Sequence, residues 1–188
     1  KSRDVIPDDL LRELHAWLEQ HNRHYLLACY MLHYLFVRPK EMSYLKVGDF
    51  SVKRKTLHLH GSNTKNHNDA VITLPDHVLK LMLELGVFNN PSHYYLFGEG
   101  FKPSETYHSE KAFRDYWDRR VRKALNMSAR YKFYSLKDTG ITNMLRANTD
   151  ILTVRDQARH SSILITDIYT PKDIKEANKC ILGYRGLL

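Results

Sequence analysis

Thr56-Leu57-His58-Leu59-His60, followed by Gly61-Ser62-Asn63 and then by Ala70-Val71-Ile72-Thr73-Leu74, is where the chain changes its period. Leucines alternate with polar residues in the first run, turn formers follow, and strand formers dominate the second. This pattern predicts a small antiparallel sheet between about Phe50 and Thr73. On both sides the spacing is helical. Upstream, Pro7 with Asp8 and Asp9 opens a helix carried by Leu10, Leu11, Leu14, Trp17 and Leu18 and closed at Asn22. The apolar run Tyr25–Val37 predicts a second helix, central because it is hydrophobic on most faces. Pro39 stops that helix and opens a short third one, Lys40 to Leu45. Downstream, helices are expected from Pro75 to Leu85, Ser109 to Leu125, Ser135 to Arg146, Ile151 to Ala158 and Ser162 to about Tyr169. Residues 86–106, with Asn89-Asn90-Pro91, Gly98, Gly100 and Pro103, form the main irregular connection. In the tail, Ile174, Ala177 and Ile181 keep helical spacing. The expected class is one mainly α domain with a small antiparallel β-sheet insert (α+β).

The composition narrows the function classes. The 188 residues are 43% hydrophobic with only 8 Gly and 6 Pro, which excludes a disordered or collagen-like chain. At this length one core hides roughly 70% of the unfolded surface, so no covalent staples are needed. Two cysteines are too few for a disulfide framework. Cys29 lies in an apolar run where a small buried residue belongs, and a reducing cytoplasmic setting is expected. No apolar run approaches the ~20 residues of a spanning helix, and no signal-like segment comes after the first residues, so no membrane role is expected. Because the chain begins with Lys1 instead of Met, a domain of a longer protein is expected. The 29 Lys+Arg exceed 21 Asp+Glu, for a formal net charge of +8, and the pI is near 9.4. Such a balance points to a polyanionic partner, nucleic acid above all.

Common catalytic motifs are missing: no P-loop, no dinucleotide glycine fingerprint, no Gly-x-Ser-x-Gly elbow and no HExxH. Among the 11 histidines, His58, His60 and His67 are the tightest group. No cysteine or carboxylate at suitable spacing completes the three or four ligands of a zinc site, so neither metal nor cofactor is expected. The remaining candidates are scattered. Arg38 ends the buried run, where a charge is costly unless it faces a site. Lys65 sits in the turn of the proposed hairpin, Lys137 early in the helix from Ser135, and His160 before Ser161-Ser162, with Tyr169 further on. Taken singly, each has a plain structural reading as a cap, a solvated turn or a packing residue.

Their order carries more. Val37-Arg38-Pro39-Lys40-Glu41-Met42-Ser43-Tyr44-Leu45 with Asp49-Phe50, Thr64-Lys65 before Val71-Ile72-Thr73-Leu74-Pro75, Tyr134-Ser135-Leu136-Lys137-Asp138-Thr139, and Arg159-His160-Ser161-Ser162-Ile163 with Thr166-Asp167-Ile168-Tyr169-Thr170 form four boxes. Together they resemble the catalytic domain of the tyrosine recombinases, the phage integrase family, from about Pro7 to Leu182. The resemblance implies cofactor-free transesterification on double-stranded DNA, with a 3′-phosphotyrosyl intermediate. It makes Tyr169 the nucleophile, Arg38 and His160 donors to the phosphate, and Lys65 the acid for the departing 5′ oxygen. Lys137 and Tyr134 occupy the place of the family's His-x-x-Arg box. It further implies a catalytic domain over residues 1–170 and a tail, 171–188, that docks onto a neighbouring protomer. The family's N-terminal core-binding domain has no counterpart here. A tetramer on DNA is implied for the full-length protein and a monomer for this part alone.

One box departs from the family pattern. Lys137 stands for the second arginine and offers a point charge in place of a bidentate fork. Tyr134 stands for the usual histidine or lysine and is a hydrogen-bond donor, with little basicity. Four readings compete: an active recombinase or integrase of a phage or mobile element, a recombinase-derived domain that binds DNA without efficient cleavage, a type IB topoisomerase-like activity, and a basic helical adaptor. The intact Tyr169 box favours the first.

Overall fold

The computed structural model describes residues 4–169 and 177–187. Helix α1 (Asp8–His21) begins on Pro7, with Asp8 and Asp9 at its positive end, and buries Leu14 and Leu18. Asn22 then caps α2 (Arg23–His33) by accepting from Tyr25 N–H at 2.9 Å. Nearly every face of α2 is covered: Tyr25, Leu26, Leu27, Ala28, Cys29, Met31 and Leu32 are all buried. The helix stops short of the expected Val37. Phe36 takes a positive φ of 57°, and Val37 N–H reaches back to Met31 O at 3.1 Å. The run Leu35-Phe36-Val37 thus stays buried while leaving the helix, and Pro39 starts α3 (Pro39–Ser43) without having ended α2.

The sheet insert is antiparallel in the order β1 (Phe50–Ser51), β2 (Thr56–Leu59), β3 (Ala70–Thr73). Phe50 pairs with Leu57, and Thr56 to Leu59 run against Thr73 to Ala70. Leu57, Leu59 and Ile72 face the core while Val71 points to solvent, the alternation read from the sequence. Gln157 fastens the outer strand to the helical body. Its Oε1 accepts from Thr73 N–H at 2.9 Å and its Nε2 donates to Thr73 O at 2.8 Å.

Helix α4 (Asp76–Glu84) begins after Pro75. The connection to α5 (Glu110–Tyr116) is held by Tyr95, which bridges to Lys46 and Ser104. The helix expected over Ser109–Leu125 is interrupted. A π turn, Trp117–Val121, separates α5 from α6 (Arg122–Ala124), while Phe113, Trp117 and Val121 remain on the core side. Helices α7 (Ser135–Arg146) and α8 (Ile151–Ala158) match their sequence bounds, and α9 (Ile163–Asp167) is shorter than expected. Helix α10 (Lys179–Leu182) lies in the tail; Ile174 falls outside the described residues.

One close approach sets α7 against α2. A Cβ on Gly140 would lie 1.8 Å from His33 O, so only glycine lets α7 rest on the end of α2. Burial lowers the pKa of His33, so its neutral ring donates from Nδ1 to Leu136 O at 2.8 Å and ties the two helices together. Thr139 fastens the segment before α1 to α7, accepting from Ile6 N–H and donating to Ser135 O within the helix. No helix among the described residues is long and apolar enough to cross a membrane.

Candidate active site

Arg38 is the N-cap of α3, in extended backbone at φ −73° and ψ 150°. Its side chain is 24% exposed, and Glu41, 3% exposed, lies one turn on. Glu41 accepts from Arg38 N–H at 2.9 Å and from both ends of the Arg159 guanidinium at 2.6 and 2.7 Å. Arg159 also donates to Phe36 O at 3.3 Å. To enter this pair, Arg159 leaves α8 in the left-handed region, at φ 58°. Burial alone would raise the Glu41 pKa; Arg159, then Arg38, reverse that and hold it below the ordinary value. The fork of Arg159 therefore neutralises Glu41, and Arg38, whose Nη1 is 3.8 Å from Glu41, lines an adjoining cavity.

Lys137 comes in from the first turn of α7 and is 3% exposed. Its Nζ is 3.5 Å from the Tyr134 hydroxyl. Burial, reinforced by Arg38 and Arg159, pulls this ammonium from 10.5 down to about 7. His160 comes directly after Arg159, and its Nδ1 is 2.8 Å from Thr166 Oγ1. Burial and the cations Lys137, Arg38 and Arg159 lower its pKa to about 4, so the imidazole is neutral at neutral pH. Tyr169 stacks nearly parallel to His160, with ring centroids 6.3 Å apart, and packs on the small core formed by Phe36, Ile141, Val154 and Ala158. Its hydroxyl donates to Asp138 Oδ1 at 3.1 Å.

Lys65 is exposed on the loop between β2 and β3. It lines a cavity of about 490 Å³ together with Arg38, Glu41, Tyr44 and Thr64. Thr64 is buried and fixes the loop by donating to Gly61 O and Asn68 O. Tyr134 is half-buried between Lys137 and a second cavity lined by Arg114, Arg122 and Lys132. His58 and His60 do not converge on a common point with His67; they pair with Asp69 and Asp49 at 3.3 and 2.8 Å.

The model of the phage integrase family matches residues 5–176. The chain belongs to the phage integrase family. Among solved structures, XerA recombinase superposes with a TM-score of 0.74 at 18% identity, covering 97% of this chain and 63% of that one. The Tn1549 transposon integrase, solved in complex with a circular intermediate DNA, gives 0.76 at 12% identity, covering 93% and 63%. XerH site-specific recombinase, bound to its difH substrate, gives 0.71 at 14% identity, covering 92% and 52%. These likenesses establish the fold, and the chain spans less than two thirds of each of these relatives. No curated protein matches the sequence.

In this phage integrase family chain the structure brings Arg38, Lys137 and His160 within electrostatic reach of one another and stacks Tyr169 on His160, with Lys65 lining the cavity beside Arg38 and Tyr134 against Lys137. Glu41, Asp138, Arg159 and Thr166 join them. Each stands inside a box recognised from sequence, next to or one helical turn from an assigned residue, yet nothing local marks it as a contact of the site.

Proposed function

We propose that residues 1–170 are the catalytic domain of a site-specific DNA recombinase or integrase of a phage or other mobile element. The reaction cuts and rejoins double-stranded DNA through a 3′-phosphotyrosyl link. The observation that carries this reading is the meeting of three cationic or hydrogen-bonding side chains from separate segments, Arg38, Lys137 and His160, beside the phenol of Tyr169.

The Tyr169 oxygen attacks the scissile phosphorus and becomes the covalent link. Negative charge gathers on the non-bridging oxygens, and donors already in position stabilise it there without reorganising during the step. Arg38 offers two parallel N–H groups. Nδ1 of His160 is engaged with the Thr166 hydroxyl; when that hydroxyl donates to Nδ1, the neutral ring carries its proton on Nε2 and presents that N–H to the phosphate. Lys137 adds a point charge that the phosphate itself keeps protonated, and Tyr134 supports its ammonium. Lys65 delivers a proton to the departing 5′ oxygen from the loop that borders the Arg38 cavity. The phosphotyrosyl ester conserves the bond energy of the phosphodiester, so a second strand's 5′ hydroxyl reverses the step without ATP. The charge of +8 serves the DNA backbone. A homotetramer on DNA, with residues 171–188 docking onto a neighbouring protomer, completes the proposal.

The test is covalent capture. The full-length protein is incubated in EDTA with nicked duplexes carrying a randomised segment, and denaturation-resistant complexes are isolated and sequenced. A captured duplex that is lost with Tyr169→Phe, while a mobility shift on the same DNA persists, supports the assignment. Capture that survives Tyr169→Phe overturns it.

A further inference from the structure

A hydroxyl that attacks phosphorus must give up its proton, and the Arg38 guanidinium has no acceptor to offer it. Tyr169 points its O–H at a carboxylate instead, donating to Asp138 Oδ1 at 3.1 Å. Asp138 is 7% exposed and sits in the first turn of α7, directly after Lys137. A carboxylate so far from solvent is costly to place unless it is partnered, and here the helix N-terminus favours negative charge. The neighbouring geometry aims the phenol consistently: Tyr169 N–H is anchored on Thr166 O at 3.0 Å, and the ring lies parallel to His160 at an interplanar angle of 12°.

We infer that Asp138 is a further catalytic residue, the base that receives the Tyr169 proton during strand cleavage. The inference rests on the proposed recombinase activity. As the Oη–P bond forms, the Oη–H bond breaks and its proton passes to Asp138 Oδ1. The P–O5′ bond breaks in the same displacement, and O5′ takes a proton from Lys65. No electrons change owner overall. In rejoining, Asp138 returns the proton to the phenolic oxygen as tyrosine leaves. A free phenol, with a pKa of about 10, would resist an ordinary carboxylate. Its oxygen acidifies steeply as it bonds to phosphorus, so the transfer turns downhill within the step.

The experiment measures single-turnover covalent capture by the full-length protein on the duplex recovered from the randomised pool. Asp138→Asn keeps the shape and the accepting oxygen but cannot bind the proton, and Asp138→Ser is a second, smaller variant. Each is checked for folding by thermal denaturation and for DNA affinity by mobility shift. The expected result is a rate loss of about 10²–10⁴ at near-unchanged affinity. Fluorotyrosine at position 169 is then the chemical readout. A more acidic phenol needs less help, so the loss caused by Asp138→Asn must shrink. A folded variant that cleaves within about threefold of the parent overturns the role, since a general base supplies more than that. A loss that fluorotyrosine leaves unchanged also overturns it, because Asp138 would then only position the ring. A parent protein that captures no DNA removes the recombinase reading, and the base with it.

Discussion

Replacing Lys137 by methionine should make the protein more stable, and most so at neutral and acid pH. The side chain is 3% exposed, and burial with Arg38 and Arg159 nearby lowers its pKa from 10.5 to about 7. An unfolded chain keeps the ordinary value. Between pH 7 and 10.5 the unfolded state therefore holds a proton that the folded state lacks, and stability rises with pH through that window. Below pH 7 both states are protonated and the whole penalty is present. At about 1.4 kcal/mol for each pKa unit, the gap amounts to about 5 kcal/mol. Methionine keeps the stem and removes the charge. Urea unfolding of parent and Lys137→Met at several pH values between 6 and 10.5 should show the variant ahead by roughly 3–5 kcal/mol at the acid end, converging toward the parent at the alkaline end. Comparing the pair cancels the tyrosines and other lysines that titrate in the same range. Covalent capture should fall by about 10²–10³ at the same time, as for other lost transition-state donors. A stability difference that does not change with pH, or a less stable variant, refutes the reasoning.

Three further outcomes are expected. DNA should drive proton uptake at pH 8: Lys137 is mostly neutral in the free protein, and a phosphate beside it restores the charge. Calorimetric titration in buffers of different ionisation enthalpy should register up to about one proton, less in Lys137→Arg. Arg159→Met leaves buried Glu41 with only the longer Arg38 contact and should cost about 3 kcal/mol in chemical denaturation, much of it recovered in the double variant Glu41→Gln/Arg159→Met. Gly140→Ala drives a methyl into a backbone carbonyl that has no rotamer to yield, so a loss of about 3 kcal/mol or more in unfolding free energy is expected.

What could be read from the sequence was local. The hairpin was legible because period-2 alternation survives in a two-sided sheet, and the expected start of α8 at Ile151 coincides with a cap in the structure, Asp150 accepting from Thr153 N–H at 3.1 Å. The end of α2 was not. Leu35, Phe36 and Val37 are as buried as the helix before them, so hydrophobicity continued where the backbone turned away at Phe36. The π turn at Trp117–Val121 was invisible for a similar reason, since it keeps the aromatic side chains on one face. In the site, Arg38, Lys65, His160 and Tyr169 emerged from the order of the boxes. The Arg159–Glu41 pair did not, because its members stand 118 positions apart and a contact made by folding has no spacing to read. Asp138 has no local signal either, since its contact with Tyr169 joins residues 31 positions apart.

Gln157 has a consequence for how this chain behaves among its own copies. Strand β3 borders β2 on one side only, and Val71 on it is 67% exposed, so its free margin is a template onto which another polypeptide could add a strand. A side-chain amide already occupies the donor and the acceptor of Thr73. It acts as a one-residue dummy strand, ending the sheet where lateral growth would begin. Glutamate would present a second acceptor to the Thr73 carbonyl, and leucine would satisfy neither group. Spontaneous deamidation at this one side chain would therefore unseal the margin, and slow self-association on ageing is the form in which that damage would appear.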